Sequence, residues 1–280
     1  MLEGTVADLH PLPPAEGILA EEPESPHRFR TLFISDVHLG TWGCKAENLV
    51  DFLRHHTADT IYLVGDIVDG WRLRSKWHWP QSHNDLVQKL LRLARKGRRI
   101  IYIPGNHDEV FRAYLGLSFG GITLRGHAVH RTPDGRSLLV LHGDEFDAVV
   151  LYSKWVARLG AALYDLLLLA NHGFNFVRRK LGFGYWSLSA FVKHKVKNIV
   201  SLVSRFEEAL LREVRKRGAD GVVCGHIHKA DLREVGGLLY CNTGDWIESC
   251  TALAEHYDGR MELIVWNEVR GPVVNPASAA

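Results

Sequence analysis

The sequence predicts an α/β fold with a largely buried sheet, and three observations carry that expectation. Short apolar runs rich in Val, Ile and Leu recur along the chain, each running directly into a cluster containing Asp, Asn or His. Segments of helical character lie between them. The polar clusters all fall at the carboxyl ends of the expected strands, where the loops of such sheets converge around an open crevice.

The elements follow in chain order. Thr31 to Ser35 is a strand ahead of Asp36-Val37-His38, and Lys45 to His56 reads as a helix. Thr60 to Val64 is the next strand, running into Gly65-Asp66. Asn84 to Lys96 is a helix stopped by Gly97. Arg99 to Ile103 then leads to Gly105-Asn106-His107-Asp108. Ile122 to His130 and Arg136 to Leu141 make a hairpin joined by Thr132-Pro133-Asp134-Gly135, whose second strand ends at His142-Gly143-Asp144. His127 and His130, on its first strand, read as sheet-surface residues. Ser204 to Lys216 is a helix stopped by Gly218, and Gly221 to Cys224 is a strand before Gly225-His226-Ile227-His228.

Composition narrows the class. With 24% charged and 46% hydrophobic residues in 280, the chain is ordinary for a soluble globular protein with one substantial core. Cys44, Cys224, Cys241 and Cys250 form no CxxC pair, which fits a reducing, cytosolic setting. The N-terminus lacks a basic start followed by an apolar stretch, and carries five prolines among acidic residues by Pro26. Residues 1–28 therefore read as a flexible tail, 29–268 as the main domain and 269–280 as a C-terminal tail. A net charge of +2 argues against extended nucleic-acid binding, which calls for a broad basic face.

Sixteen histidines ask for a cause. Two divalent cations held close together need imidazole and anionic ligands, one carboxylate bridging both. Asp36 and His38 flank one residue at a strand end and form a chelating pair. Asp66 follows a glycine that permits a tight turn, making it the natural bridge. Asn106 offers an amide oxygen, His142 one imidazole, and His226 with His228 a second pair. Each motif alone is compatible with simple turn chemistry. Five of them in order, each at a strand end, are not.

The combined pattern DxH, GD, GNHD, HGD and GHxH, over about residues 30 to 248, resembles the calcineurin-like metallophosphoesterase superfamily. That resemblance implies a four-layer αββα sandwich. It also implies one metal on Asp36, His38, Asp66 and His228, and the other on Asp66, Asn106, His142 and His226. His107, with Asp108 to orient its ring, is the candidate acid for the leaving group or contact for the phosphate.

Residues 148–200 interrupt the strand and helix rhythm as an insertion. It carries eight Lys or Arg against the single acid Asp165, a formal charge of +7, among large apolar residues such as Trp155, Phe174, Tyr185 and Trp186. Lys154, Arg158 and Asp165 interrupt it too early for a membrane span of ~20 apolar residues. A basic, apolar helical lid suits an anionic lipid surface or a lipid-like substrate.

A core of this type with such a lid after HGD resembles the UDP-2,3-diacylglucosamine hydrolase branch. The resemblance implies cleavage of that substrate's pyrophosphate to lipid X and UMP in lipid A synthesis, manganese as the metal, and peripheral contact with the cytoplasmic face of the inner membrane. It further implies substrate contacts at Asp147, Lys193, Lys195 and Asn198. The best-known members carry arginine where this chain has His107. Trp71, Trp77 and Trp79 read as packing residues, with stacking on a base or lining the crevice mouth as the alternative, and Asn242 to Trp246 as a mainly structural part of the crevice floor. Two other readings stand beside this one: a soluble phosphoesterase acting on nucleotides, diesters or phosphoproteins, and a non-catalytic scaffold. The scaffold ranks last because all seven ligands are present.

Overall fold

The computed structural model describes residues 26–146 and 205–266. Its elements are β1 (His27–Ile34), α1 (Ala46–His55), β2 (His56–Val64), α2 (Gly70–Ser75), α3 (Gln81–Arg95) and β3 (Arg99–Ile103). After a 3-10 turn at Glu109–Tyr114 come β4 (Ser118–Phe119), β5 (Ile122–Leu124), β6 (Ala128–Arg131) and β7 (Ser137–Val140). A helix over residues 205–216, α4, leads to β8 (Gly221–Cys224), β9 (Asp231–Val235), β10 (Leu238–Asn242), β11 (Thr251–Glu255) and β12 (Met261–Val265). The expected insertion at 148–200, both expected tails and the proposed contacts Asp147, Lys193, Lys195 and Asn198 lie outside the described residues, apart from the tail's last three residues.

These strands form two sheets. One has the order β12-β11-β1-β2-β3-β5-β4 and the other β6-β7-β8-β10-β9. Strands β1, β2, β3 and β5 run parallel, as do β7, β8 and β10, so their carboxyl ends share one edge within each sheet.

Alternation along the central strands builds three apolar layers. Leu32, Ile34, Ile61, Leu63 and Ile100 point to α1 and α3, meeting Leu49, Leu53, Leu86 and Leu90. Their neighbours Phe33, Tyr62, Val64, Ile101 and Ile103 point the other way and meet Leu138, Val140, Val223 and Cys241 of the second sheet. Leu139, Val222, Cys224 and Tyr240 then face Phe206, Leu210 and Val214 of α4. The result is the four-layer αββα sandwich. On α3 the buried positions His83, Leu86, Leu90 and Leu93 repeat every three or four residues, the spacing of one helical face.

The structure corrects two expectations. Ile122 to His130 is not one strand: β5 pairs with β3 in the first sheet and β6 pairs with β7 in the second. The chain crosses between sheets at Arg125 to His127, and only Ala128–Arg131 joins the hairpin. His130 is consequently buried in the seam, edge-on to Phe33 and Tyr62, with Nε2 2.9 Å from Glu255 Oε2. The same carboxylate oxygen accepts from Thr31 Oγ1 at 2.7 Å and Arg30 Nη1 at 2.6 Å.

Candidate dinuclear metal centre

All seven expected ligands lie at the strand edge shared by β1, β2, β3, β7 and β8, and they straddle the seam between the sheets. The loops after β1 and β2 run side by side, through Asp36 N to Gly65 O at 3.0 Å, His38 N to Asp66 O at 2.8 Å and Leu39 N to Ile67 O at 2.9 Å. This extends the parallel pairing past the strands and sets Asp36 and Asp66 on neighbouring loops. Bonds across the seam fix the other half. His142 Nδ1 donates to Val64 O at 2.9 Å, and His226 N donates to Asp36 Oδ2 at 3.0 Å.

The backbone here is unusual. Asp36, His38, Asp66, His226 and His228 all have positive φ, between 51° and 72°; among the described non-glycine residues only Cys250 joins them. Each such conformation costs on the order of 1 kcal/mol and persists only where its surroundings enforce it, a pattern typical of functional sites. Close approach explains two of the motif glycines. A Cβ on Gly65 would collide with the His142 ring, and one on Gly225 with the Asp36 carboxylate.

The side chains converge on three overlapping groups, Asp36 with His38 and His228, His38 with Asp66 and His107, and Asp66 with His142 and His226, with ligand atoms in each group within 4.8 Å of one another. Asp66 joins them: its Oδ2 lies 3.3 Å from His142 Nε2 and 3.8 Å from His38 Nε2, while Oδ1 accepts from His107 N at 2.8 Å. Asp36 Oδ1 lies 3.3 Å from His228 Nε2.

Four inward-facing atoms, Asp36 Oδ1, His38 Nε2, Asn106 Oδ1 and His142 Nε2, are buried without a hydrogen bond. Such groups cost ~1–3 kcal/mol each unless something satisfies them. With a carboxylate, an amide oxygen and imidazole nitrogens as the donor set, a pair of divalent cations fits. His142 is prepared for this role, since the bond from Nδ1 to Val64 O leaves Nε2 turned inward as the ligand atom.

The electrostatics agree. Burial alone would raise the Asp36 and Asp66 carboxyls, but the surrounding imidazoles outweigh it and both are lowered. Burial would lower His142, yet Asp66 and Asp36 push it up to about 10. His228 is raised in the same way by Asp36, against its burial.

Asp108 does not orient His107. Its oxygens accept from Gly105 N at 2.6 Å, from Ile67 N at 2.8 Å and from the Tyr102 hydroxyl, which ties the GD and GNHD loops together. The sequence reading missed Asp69, whose Oδ2 lies 3.0 Å from His107 Nδ1 and 3.3 Å from His38 Nδ1. Burial would raise the Asp69 carboxyl, but His107 and His38 hold it below its ordinary value. Asp69 Oδ1 also accepts from Arg72 N at 2.8 Å, capping α2. An Asp-Gly step opening a helix three residues after Asp66 was the available signal. Trp71 and Trp77 are exposed rather than packed, and Trp71 lies against His107 with ring centroids 4.3 Å apart. Asp245, from the expected floor, caps the turn at Ile247 to Ser249 and stands 3.9 Å from His228 Nδ1.

Residues 29–230 match the calcineurin-like phosphoesterase family, and the chain belongs to that family. It is a metallophosphoesterase, a hydrolase of phosphoric esters that works with divalent metal ions. A UDP-2,3-diacylglucosamine hydrolase from Chromohalobacter salexigens is 26% identical over 221 residues, 73% of this chain and 82% of that protein. One from Neisseria meningitidis serogroup B is 26% identical over 226 residues, 76% of this chain and 88% of that protein. One from Blochmanniella pennsylvanica is 29% identical over 119 residues, so that the match spans only 46% of that protein. No helix among the described residues is long and apolar enough to cross a membrane.

Proposed function

We propose that the chain hydrolyses the pyrophosphate of UDP-2,3-diacylglucosamine to lipid X and UMP, a step of lipid A synthesis, with two manganese ions and in peripheral contact with an anionic membrane surface. One observation carries the reading. Two ligand groups meet at Asp66 in a chain similar over about three-quarters of its length to proteins named for that activity. The +7 insertion supports it, because an acyl-bearing diphosphate needs apolar cover beside basic groups.

When bound, the divalent ions supply an activated water and neutralise charge on the phosphoryl oxygens. Asp36, His38, Asp66 and His228 would hold one ion and Asp66, Asn106, His142 and His226 the other. Water adds to one phosphorus, and the bridging oxygen leaves with the other phosphate. His107, whose Nδ1 lies 3.0 Å from Asp69 Oδ2, has Nε2 4.0 Å from Asp66 Oδ2 and so stands beside the bridging carboxylate. From there it donates a proton to the departing oxygen or bonds the phosphate. Asp147, Lys193, Lys195 and Asn198 are proposed to meet the lipid-sugar half.

A second reading rests on His107, which stands where the branch's best-known members carry arginine: a metallophosphoesterase acting on soluble nucleotides or diesters. A turnover panel separates the two. Manganese-dependent UMP release from the diacylated UDP-sugar supports the first reading. Silence on it, with turnover of simple nucleotide diesters, would sink it.

A further inference from the structure

Beside the ligands lies an open pocket that the chemistry above leaves unassigned. It is about 550 Å³ in volume and lined in part by Trp42, Arg72, Lys76 and His78, with His38 and His107 at its inner end. Asn106, His142 and His226 do not line it, so it opens on the Asp36, His38 and His228 side of the cluster. The chain leaves for residues 148–200 from the other side, after His142 and the short turn Asp144–Phe146.

Trp42 defines the pocket's character. One face of its indole stacks on His78, with centroids 3.9 Å apart and planes 22° from parallel, yet the residue is 77% exposed. His78 in turn meets the buried His83 edge-on at 5.8 Å, so the wall is braced from behind. An exposed aromatic platform with a rigid backing suits a planar ring, and base stacking tolerates any base because each has a π-face. Arg72 and Lys76 make no ion pair among the described residues, so both remain available for an anion.

We propose that this pocket is the subsite for the nucleoside monophosphate half of the substrate, with the base on Trp42 and the phosphate met by Arg72 and Lys76. The assignment rests on reading the cluster as a phosphoesterase centre. It deepens the proposed function by placing the nucleotide half of the diphosphate, and it does not require the acyl chains.

Calorimetric titration of UMP and of ribose 5-phosphate into the full-length, manganese-loaded chain tests it. UMP is expected to bind about tenfold more tightly than ribose 5-phosphate. Trp42→Ala removes that preference, and Arg72→Ala weakens both ligands alike. Trp77→Ala, which deletes a 73% exposed indole outside the pocket, keeps the preference. Absence of a preference in the unaltered chain, or its survival in Trp42→Ala, overturns the proposal. Failure to cleave the diacylated UDP-sugar while the Trp42-dependent preference persists removes the lipid reading and leaves this subsite standing. Cleavage of that sugar without any Trp42-dependent preference does the reverse.

Discussion

Asp69 shows how much one carboxylate can organise, since its Oδ2 meets His38 and His107 while its Oδ1 caps α2. Asp69→Asn is expected to weaken metal binding about 10–100-fold, the usual effect of removing a partner that orients a ligating histidine. Metal content after dialysis against a graded chelator checks it. Asp108→Asn, by contrast, places an amide against two backbone donors and costs about 1–3 kcal/mol of stability, read by denaturant unfolding. His142 gives a pH prediction. Its imidazole is held up at about 10, so below that pH a cation must displace a proton to reach Nε2. Affinity therefore rises with pH, and calorimetry in buffers of different ionisation enthalpy registers proton release. Equal affinity at about pH 6 and about pH 8 contradicts the assignment.

At the scale of elements, the ligand order was legible because each ligand terminates an apolar run, and a parallel strand delivers its carboxyl end to one edge wherever it sits in the sheet. All seven ligands follow from that rule. Asp69 did not, because its role depends on α2 carrying it to a histidine 38 positions away. The break at Arg125 to His127 was hidden for another reason: alternation continues through it, and only Gly126 marks the crossing. That crossing buries His130 beside Glu255. The Glu255 carboxyl is lowered, burial being outweighed by His130, Thr31 and Arg30. A lowered acid contributes stability above its ordinary value of 4.5 that is lost as pH falls through and below it. Glu255→Ala is expected to cost about 3 kcal/mol near neutrality, the low end for a broken buried pair, because Arg30 keeps some access to water. It also flattens the acid limb of the stability profile; an unchanged limb assigns the loss to other carboxylates.

Across the whole molecule, the centre sits on the seam between two sheets and draws ligands from both, so metal binding and sheet packing are coupled. Cations that bind only the folded chain stabilise it by about 2.7 kcal/mol at a hundred times their Kd. Chelation is accordingly expected to lower the melting temperature, and Asp66→Ala, which removes the carboxylate that would bridge the two ions, is expected to shrink the chelator's effect on melting. The central claim is that Asp66 joins two metal positions. Metal analysis of the purified chain, loaded with manganese and desalted, tests this most directly. Two ions per chain, falling to at most one in Asp66→Ala together with loss of phosphoesterase turnover, is the predicted result. Two ions retained in Asp66→Ala, or no tightly held manganese in the unaltered chain, would contradict it.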